Sequence, residues 1–293
     1  MVMTSMLPES KTLTLKSGRT LGYAEYGHPS GIPIIGFHGM PASRIMLKVF
    51  ENAALASGAR LIAPERPGYG LSQPSPAGTL LSYPDEVQEL ADALGLDRFT
   101  VMGVSGGGPY ALACAYRLPG RLKVAGVVSG IGPLSLPGSR RDMIRNNRVM
   151  FTLGRYSPAL AAFLISRLIK SSLPSMEKHI RQGTSPAPDL SPEIFAILAA
   201  DQRQAIGTGG QGVALDMKTL WRPWGFQFED IRTKVNLWHG EADNLAPAHL
   251  ARYIAQRIPD CQAVYYPGES HTDPLIKHAD EIMTQLVGAD RPS

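Results

Sequence analysis

The sequence predicts an α/β protein with a mostly parallel central sheet flanked by helices and one inserted helical segment. Strand-like apolar runs alternate with helix-like segments along most of the 293 residues, the pattern of parallel strands joined by helical crossovers. The alternation stops over 134–230, where no strand-like run appears, and resumes at Val235. A composition of 44% hydrophobic and 18% charged residues is ordinary for a globular protein, and the length suits one large domain with an insertion.

The first 64 residues are predicted to supply four strands and one helix. A hairpin should join 12–16 to 20–26, and two further strands, at 32–37 and 60–64, should enclose a helix over 43–56. The next predicted elements are a helix at 84–94, a strand at 99–104, a helix at 109–116 and a strand at 123–129. After the insertion come strands at 234–239 and 262–266 and a final helix. We therefore predict a core formed by 1–133 and 231–293 and a helical cap, 134–230, over the edge of the sheet where ligands bind.

Ser105 is the candidate nucleophile. It lies in Gly103-Val104-Ser105-Gly106-Gly107, a G-x-S-x-G sequence between a buried apolar strand and a helix that has Pro109 near its first turn. A sharp turn between strand and helix lifts the serine hydroxyl clear of the sheet, and the two outer glycines let strand and helix approach at the bend. This context separates the motif from a chance match.

A serine hydroxyl is a weak nucleophile at neutral pH, so it needs a base and a group that orients the base. When the serine lies on such a strand-to-helix turn, the acid and then the histidine follow it in the chain, each just past a strand. Asp243 and His271 occupy those two places. Glu241 competes with Asp243 but lies closer to the strand end. Two other late histidines are predicted to lie in helices, His249 before the last strand and His278 inside the final helix.

An oxyanion hole requires backbone N–H groups aimed at the carbonyl oxygen that becomes negative. One donor should be Gly106, which follows the nucleophile, and the other should come from the loop after an early strand. In that loop Met40 is the candidate, because Pro41 has no N–H. His38 precedes the serine in the chain, so we interpret it as a structural imidazole that shapes the loop.

Five segments together resemble the α/β-hydrolase superfamily, in its serine-nucleophile, esterase-like branch with a helical cap. They are His38-Gly39-Met40-Pro41, Arg66-Pro67-Gly68-Tyr69-Gly70-Leu71-Ser72, Gly103 to Gly107, His239-Gly240-Glu241-Ala242-Asp243 and Gly268-Glu269-Ser270-His271. The resemblance implies an α/β-hydrolase fold. It also implies cleavage of a carboxylic ester, lactone or thioester through an acyl-enzyme on Ser105. Epoxide hydrolases and haloalkane dehalogenases resemble this fold but carry aspartate as nucleophile, so serine disfavours both.

Two alternatives remain open from the sequence. A carbon–carbon bond hydrolase of the same fold would use the same three side chains and release a carbon-centred fragment. A ligand receptor of this fold could retain a slow hydrolase site. Proline-specific aminopeptidases also resemble this architecture, but the His-Gly-Met-Pro loop lacks their extra glycine.

The sequence predicts no cofactor and no metal. The G-x-G-x-x-G match at 207–212 follows a helix-like segment rather than a strand, so it does not indicate a dinucleotide site. Cys114 and Cys261 are the only cysteines, and no Cys/His cluster has zinc spacing. With no apparent secretory signal at the N-terminus, we expect a cytoplasmic protein without a structural disulfide or stable membrane insertion. The expected partner is a small-molecule substrate, and the oligomeric state is not predicted.

The predicted cap is strongly basic. Residues 139–182 hold nine basic and two acidic side chains, a net charge of +7, whereas the whole chain is +4 and the remainder is therefore −3. Such a face can attract an anionic substrate, a carrier-linked acyl group or a membrane surface, or it can simply be a solvated face. Nucleic acid is disfavoured because no recognition motif accompanies the charge. Apolar cap side chains can line the acyl pocket or merely pack the cap against the sheet: Met143, Met150, Phe151, Leu153, Leu160 and Phe163.

Overall fold

Eight strands form one sheet in the computed structural model, which describes residues 9–76, 78–186 and 190–288. In chain order the strands are β1 (Lys11–Thr14), β2 (Thr20–Gly27), β3 (Ile32–Phe37), β4 (Ala59–Pro64), β5 (Phe99–Val104), β6 (Leu122–Val128), β7 (Val235–Gly240) and β8 (Cys261–Tyr266). Their order across the sheet is β1-β2-β4-β3-β5-β6-β7-β8. β1 and β2 pair antiparallel, as do β2 and β4, and all other pairs are parallel. The predicted fold class is confirmed.

The central strands are buried on both faces, which explains their continuous apolar sequences. Every residue of β5 and of β7 is buried. One face of the sheet packs in a cluster that includes Ile35, Val101 and Leu237, and the other packs in a cluster that includes Ile34 and Met102. The ends of β5 and β7 are therefore held by the buried centre of the sheet.

Ten α-helices are described. They are α1 (Glu51–Ser57), α2 (Tyr83–Ala93), α3 (Gly108–Arg117), α4 (Arg145–Tyr156), α5 (Pro158–Gln182), α6 (Pro192–Ala205), α7 (Gln211–Trp221), α8 (Ala248–Ala255), α9 (Asp273–Lys277) and α10 (Ala279–Gly288). The helix predicted over 43–56 is two elements, a 3-10 helix at Arg44–Phe50 followed by α1. Ser43 caps the first of them, its side chain accepting from the N–H of Ile45 at 3.3 Å.

The described part of 134–230 contains α4 to α7 and short turns but no strand, and we call this segment the helical insertion. Its G-x-G-x-x-G sequence forms the turn between α6 and α7, in which Gly209 and Gly210 have positive φ angles of 72° and 84°. Gly212 touches the core, because its N–H donates to the carbonyl of Gly68 at 3.0 Å and a Cβ there would lie 2.4 Å from the Tyr69 ring. Glycine at 210 and 212 therefore allows this turn to pack closely against neighbouring segments. The boundaries of a cap domain stay a prediction.

Two sequence-based expectations are the absence of stable membrane insertion and the absence of a secretory signal. Among the described helices none is both long and apolar enough to span a bilayer. The expectation of no secretory signal concerns the N-terminal stretch, of which residues 1–8 lie outside the described residues.

Candidate active site

The turn after β5 places Ser105 in a strained backbone conformation. Its φ angle is +52°, in the left-handed region that non-glycine residues rarely adopt. The flanking glycines make the turn possible: a Cβ on Gly103 would lie 2.3 Å from the Gly107 carbonyl oxygen, and one on Gly107 would lie 2.3 Å from that of Phe37. No larger residue fits at either position, so the local sequence dictates the sharp strand-to-helix bend that presents the Ser105 hydroxyl.

The structure brings the three predicted side chains together in one hydrogen-bonded chain. The Ser105 Oγ lies 2.9 Å from His271 Nε2, and His271 Nδ1 lies 2.7 Å from an Asp243 carboxylate oxygen. They follow β5, β7 and β8, whose parallel arrangement ends all three strands at the same edge of the sheet. With Nδ1 protonated and facing the carboxylate, Nε2 is free to accept the serine proton.

Asp243 is held by four partners in a buried position. One oxygen accepts from the backbone N–H groups of Leu245 and Ala246, both at 2.8 Å, and the other faces His271 and, at 3.2 Å, His239 Nε2. Burial alone would raise the pKa of Asp243, but hydrogen bonds from the two histidines lower it well below its ordinary value. Asp243 therefore stays ionised and orients the imidazole.

The competing residues lie elsewhere. The carboxylate of Glu241 is exposed and pairs with Arg252, and His249 in α8 lies 2.8 Å from Asp142. The prediction that His278 lies inside the final helix is wrong. His278 follows the last residue of α9, just before α10, and its Nε2 lies 2.9 Å from Glu269. His239 also contacts Asp243, a role that its place in the sequence motif does not reveal.

The loop after β3 lies against the nucleophile turn. A Cβ built on Gly106 would lie 3.2 Å from the backbone nitrogen of Met40, so these two predicted donors are adjacent. His38 is fully buried; its Nδ1 lies 2.9 Å from the Gly39 carbonyl oxygen and its Nε2 accepts from the N–H of Arg66 at 3.1 Å. Burial and the neighbouring Arg66 guanidinium keep the pKa of His38 well below its ordinary value. A neutral imidazole in this geometry shapes the loop.

Arg66 joins this loop to the helical insertion, a connection that the sequence did not reveal. Its fully buried guanidinium donates to the carbonyl oxygens of His38 and Gly39 and pairs with Asp216 of α7. Burial would lower the pKa of Arg66, but the Asp216 carboxylate raises it, so the guanidinium stays charged. Asp216 also accepts from the hydroxyls of Tyr69 and Tyr110, each at 2.8 Å. The Asp216 carboxylate of the insertion thus holds Arg66, which in turn holds the loop after β3.

Asp201 of α6 makes a second connection to the same loop. One of its carboxylate oxygens accepts from the backbone N–H of Ser43 at 2.6 Å and from the Ser43 hydroxyl at 2.8 Å. Burial raises the pKa of Asp201 to about 7, although the bonds from Ser43 partly oppose the rise. Gln202 donates to the Pro41 carbonyl at 2.9 Å. Two buried aspartates of the insertion are therefore connected to segment 38–43, Asp216 through Arg66 and Asp201 directly.

A cavity of about 520 Å³ opens over Ser105 between the core and the insertion. Its walls are mainly apolar, and the candidate nucleophile Ser105 and candidate base His271 lie in them together with Met40 and Gly106. Of the six cap side chains predicted as candidates, Met150 and Phe151 line it. Met143 is buried in a neighbouring cluster, Leu153 borders an outer groove, and Leu160 and Phe163 are 46% and 57% exposed. These four are not among the residues that line the cavity, and Met143 shares a buried cluster with Ile131 and Ala246 of the core, as expected of a side chain that packs the insertion against the sheet.

No cluster of three or more His, Cys, Asp or Glu residues that could hold a metal ion is present among the residues that the structure describes. Cys114 is buried behind the nucleophile and Cys261 is half-buried in β8, both as free thiols.

Comparison with known proteins agrees with the fold. A family model described as alpha/beta hydrolase fold matches residues 32–276. The chain is 34% identical over 125 residues to a non-heme chloroperoxidase of Streptomyces lividans (42% of this chain, 45% of that protein). It is 35% identical over 164 residues to haloalkane dehalogenase 2 of Mycobacterium bovis, covering 55% of each. The chain thus spans about half the length of these two relatives.

A longer alignment and a solved structure extend the comparison. The pimeloyl-[acyl-carrier protein] methyl ester esterase of Aromatoleum aromaticum is 27% identical over 235 residues, covering 78% of this chain and 86% of that protein. An esterase from Exiguobacterium antarcticum superposes with a TM-score of 0.70 at 16% identity, covering 97% of this chain and all of the other. At that identity the superposition shows the fold alone.

Proposed function

Because the chain belongs to the α/β-hydrolase fold family, we propose that it is a serine hydrolase that cleaves a carboxylic ester, lactone or thioester through an acyl-enzyme on Ser105. The observation that carries the proposal is the hydrogen-bonded chain Ser105–His271–Asp243, whose first two members lie in the wall of an apolar cavity. Esterases are among the relatives, as are a dehalogenase and a chloroperoxidase. Serine at the nucleophile position argues against dehalogenase chemistry, because haloalkane dehalogenases of this fold carry aspartate there.

The first half-reaction follows from the two distances at His271. Its Nε2 takes the hydroxyl proton as the Ser105 Oγ attacks the carbonyl carbon, and Asp243 stabilises the imidazolium that forms. The backbone N–H groups of Met40 and Gly106 stabilise the oxyanion, for which their adjacency is suited. Loss of one such donor typically lowers turnover by about 10²–10³. The imidazolium then protonates the leaving alcohol or thiol.

The second half-reaction reverses the roles of the same groups. His271 accepts a proton from water, the resulting hydroxide attacks the acyl carbon, and the proton returns to the Ser105 oxygen as the ester bond breaks. The helical insertion acts as the cap: it supplies Met150, Phe151 and Met217 to the cavity, whose volume suits a small or medium apolar acyl group.

A panel of esters and thioesters with acyl chains of increasing length tests the proposal. The purified protein should release a carboxylic acid and an alcohol or thiol in equal amounts, and Ser105→Ala should abolish the release while leaving the melting temperature close to wild type. Release of a carbon-centred fragment from a diketone, with no turnover of any ester, would contradict ester hydrolysis and favour carbon–carbon cleavage. Undiminished ester turnover by Ser105→Ala would contradict the mechanism.

A further inference from the structure

The outer faces of α4 and α5 hold most of the large apolar side chains that are exposed in the described part of the chain. Eight such side chains are exposed, and six of them lie between positions 144 and 168. The most exposed are Tyr156 at 76%, Leu168 at 63% and Phe163 at 57%. We call the set Ile144, Val149, Tyr156, Leu160, Phe163 and Leu168 the apolar patch. Single exposed apolar residues are normal, but this concentration on two consecutive helices is not.

The same segment is purely cationic. Residues 143–176 contain five basic side chains and no aspartate or glutamate. The five are all exposed: Arg145, Arg148, Arg155, Arg167 and Lys170. Within the residues that the structure describes, none of the five forms an ion pair. The guanidinium of Arg155 lies over the rings of Tyr156 and Trp221, at 5.6 and 5.3 Å. Positive charge and apolar surface are therefore interleaved.

The patch lies on the outside of the wall that encloses the catalytic cavity. On α4, Val149 and Tyr156 border an outer groove of about 370 Å³, whereas Met150 and Phe151 line the cavity. Leu168 of α5 lines the cavity and is also largely exposed, so it belongs to both surfaces. Whatever covers the patch thus contacts one edge of the cavity.

We propose that the apolar patch and its five cations dock the protein peripherally on an anionic lipid surface. Bulky aliphatic and aromatic side chains among arginine and lysine are the composition of elements that lie in a membrane interface, where apolar groups enter the acyl boundary and cations meet anionic headgroups. A second copy of the chain is a poorer occupant, because it would bring ten like charges together. Docking in this orientation turns the Leu168 edge of the cavity towards the bilayer.

The proposal is tested by co-sedimentation of the full chain with lipid vesicles. Wild type should bind vesicles of equal parts phosphatidylcholine and phosphatidylglycerol, should not bind phosphatidylcholine alone, and should dissociate as salt is raised, because the charge attraction is screened. Arg148→Gln and Arg167→Gln should each weaken binding about fivefold. Phe163→Ser should weaken it at unchanged charge.

Matched controls lie on the core. Leu55, 52% exposed on α1, and Lys234, exposed before β7, are far from the patch in the chain. Leu55→Ser and Lys234→Gln should bind anionic vesicles like wild type, and all variants should keep the wild-type circular dichroism spectrum and ester turnover in solution.

Three results would overturn the proposal. The first is no binding of wild type to anionic vesicles. The second is equal weakening by Leu55→Ser and Phe163→Ser, since binding would then not be localised. The third is weakening by the arginine variants but not by Phe163→Ser, because a purely electrostatic surface fits an acidic protein rather than a bilayer. Vesicle binding is measured without substrate, so these outcomes are independent of the proposed esterase activity.

Discussion

Replacement of Asp216 by alanine should be among the most damaging single changes outside the reacting groups. Asp216 pairs with the fully buried Arg66 and accepts from two tyrosine hydroxyls. In Asp216→Ala, Arg66 keeps its carbonyl partners but loses its counter-charge. Removal of one partner from a buried ion pair typically costs about 3–5 kcal/mol. We therefore expect the free energy of unfolding to fall by about that amount.

The same change should impair catalysis, because Arg66 donates to the carbonyl oxygens of His38 and Gly39, directly before Met40. We expect kcat to fall about tenfold or more. Loss of a whole oxyanion donor, about 10²–10³, sets the upper bound. KM should change little, since the network does not line the cavity around the acyl group.

Urea denaturation gives the stability change and steady-state ester hydrolysis gives the kinetic one. The matched control is Asp92→Ala, which breaks a surface ion pair with Arg121 in which the aspartate is 51% exposed. Such a pair contributes about 1 kcal/mol or less. If Asp216→Ala cost no more than Asp92→Ala, or if it left kcat unchanged, the coupling between the insertion and the loop would be refuted.

Three further predictions concern single side chains. Asp243→Asn should lower kcat by several orders of magnitude because it favours the wrong imidazole tautomer, whereas Glu241→Gln should leave kcat nearly unchanged. The reverse ranking in steady-state assays would show that Glu241, not Asp243, is the acid. Because burial raises the folded-state pKa of Asp201 to about 7, above its unfolded value of 3.8, the folded state holds a proton that the unfolded state lacks between these pH values. The free energy of unfolding should thus fall by about 4 kcal/mol as pH rises from the unfolded to the folded pKa. In Asp201→Asn the urea midpoint should vary less with pH over this range, and a pH dependence like that of wild type would contradict a raised pKa at Asp201. Met150→Ala and Phe151→Ala should change the ranking of acyl chain lengths by kcat/KM, since each methylene of fit is worth about 1–3 kcal/mol, and a ranking identical to wild type in both would argue against a selective role for the insertion.

The parts of the site that the sequence could predict are those whose geometry is local or follows from strand order. The glycines around Ser105 encode the bend, and the positions of Asp243 and His271 just past strands follow from a parallel sheet whose strands end at one edge. The α/β-hydrolase fold, predicted from five motifs, is confirmed by the family match and by the eight-stranded sheet.

The parts that could not be predicted depend on contacts between distant segments. Arg66 meets Asp216 across 150 positions and Ser43 meets Asp201 across 158, and no local pattern distinguishes either aspartate from an ordinary helix-surface carboxylate. The orientation of α4 and α5 is equally non-local. Both helices have apolar residues on more than one side, so the sequence alone did not tell that Phe163 faces outward.

Covalent labelling at Ser105 tests the central claim most directly. A fluorophosphonate should react with the folded wild-type protein at one site, raise its intact mass by one phosphonyl group and abolish ester turnover, with the adduct on the peptide that contains Ser105. Ser105→Ala should remain unlabelled, and His271→Ala should label far more slowly because the hydroxyl has lost its base. Absence of any adduct in active wild-type protein, or an adduct on another residue that forms equally in Ser105→Ala, would contradict the account.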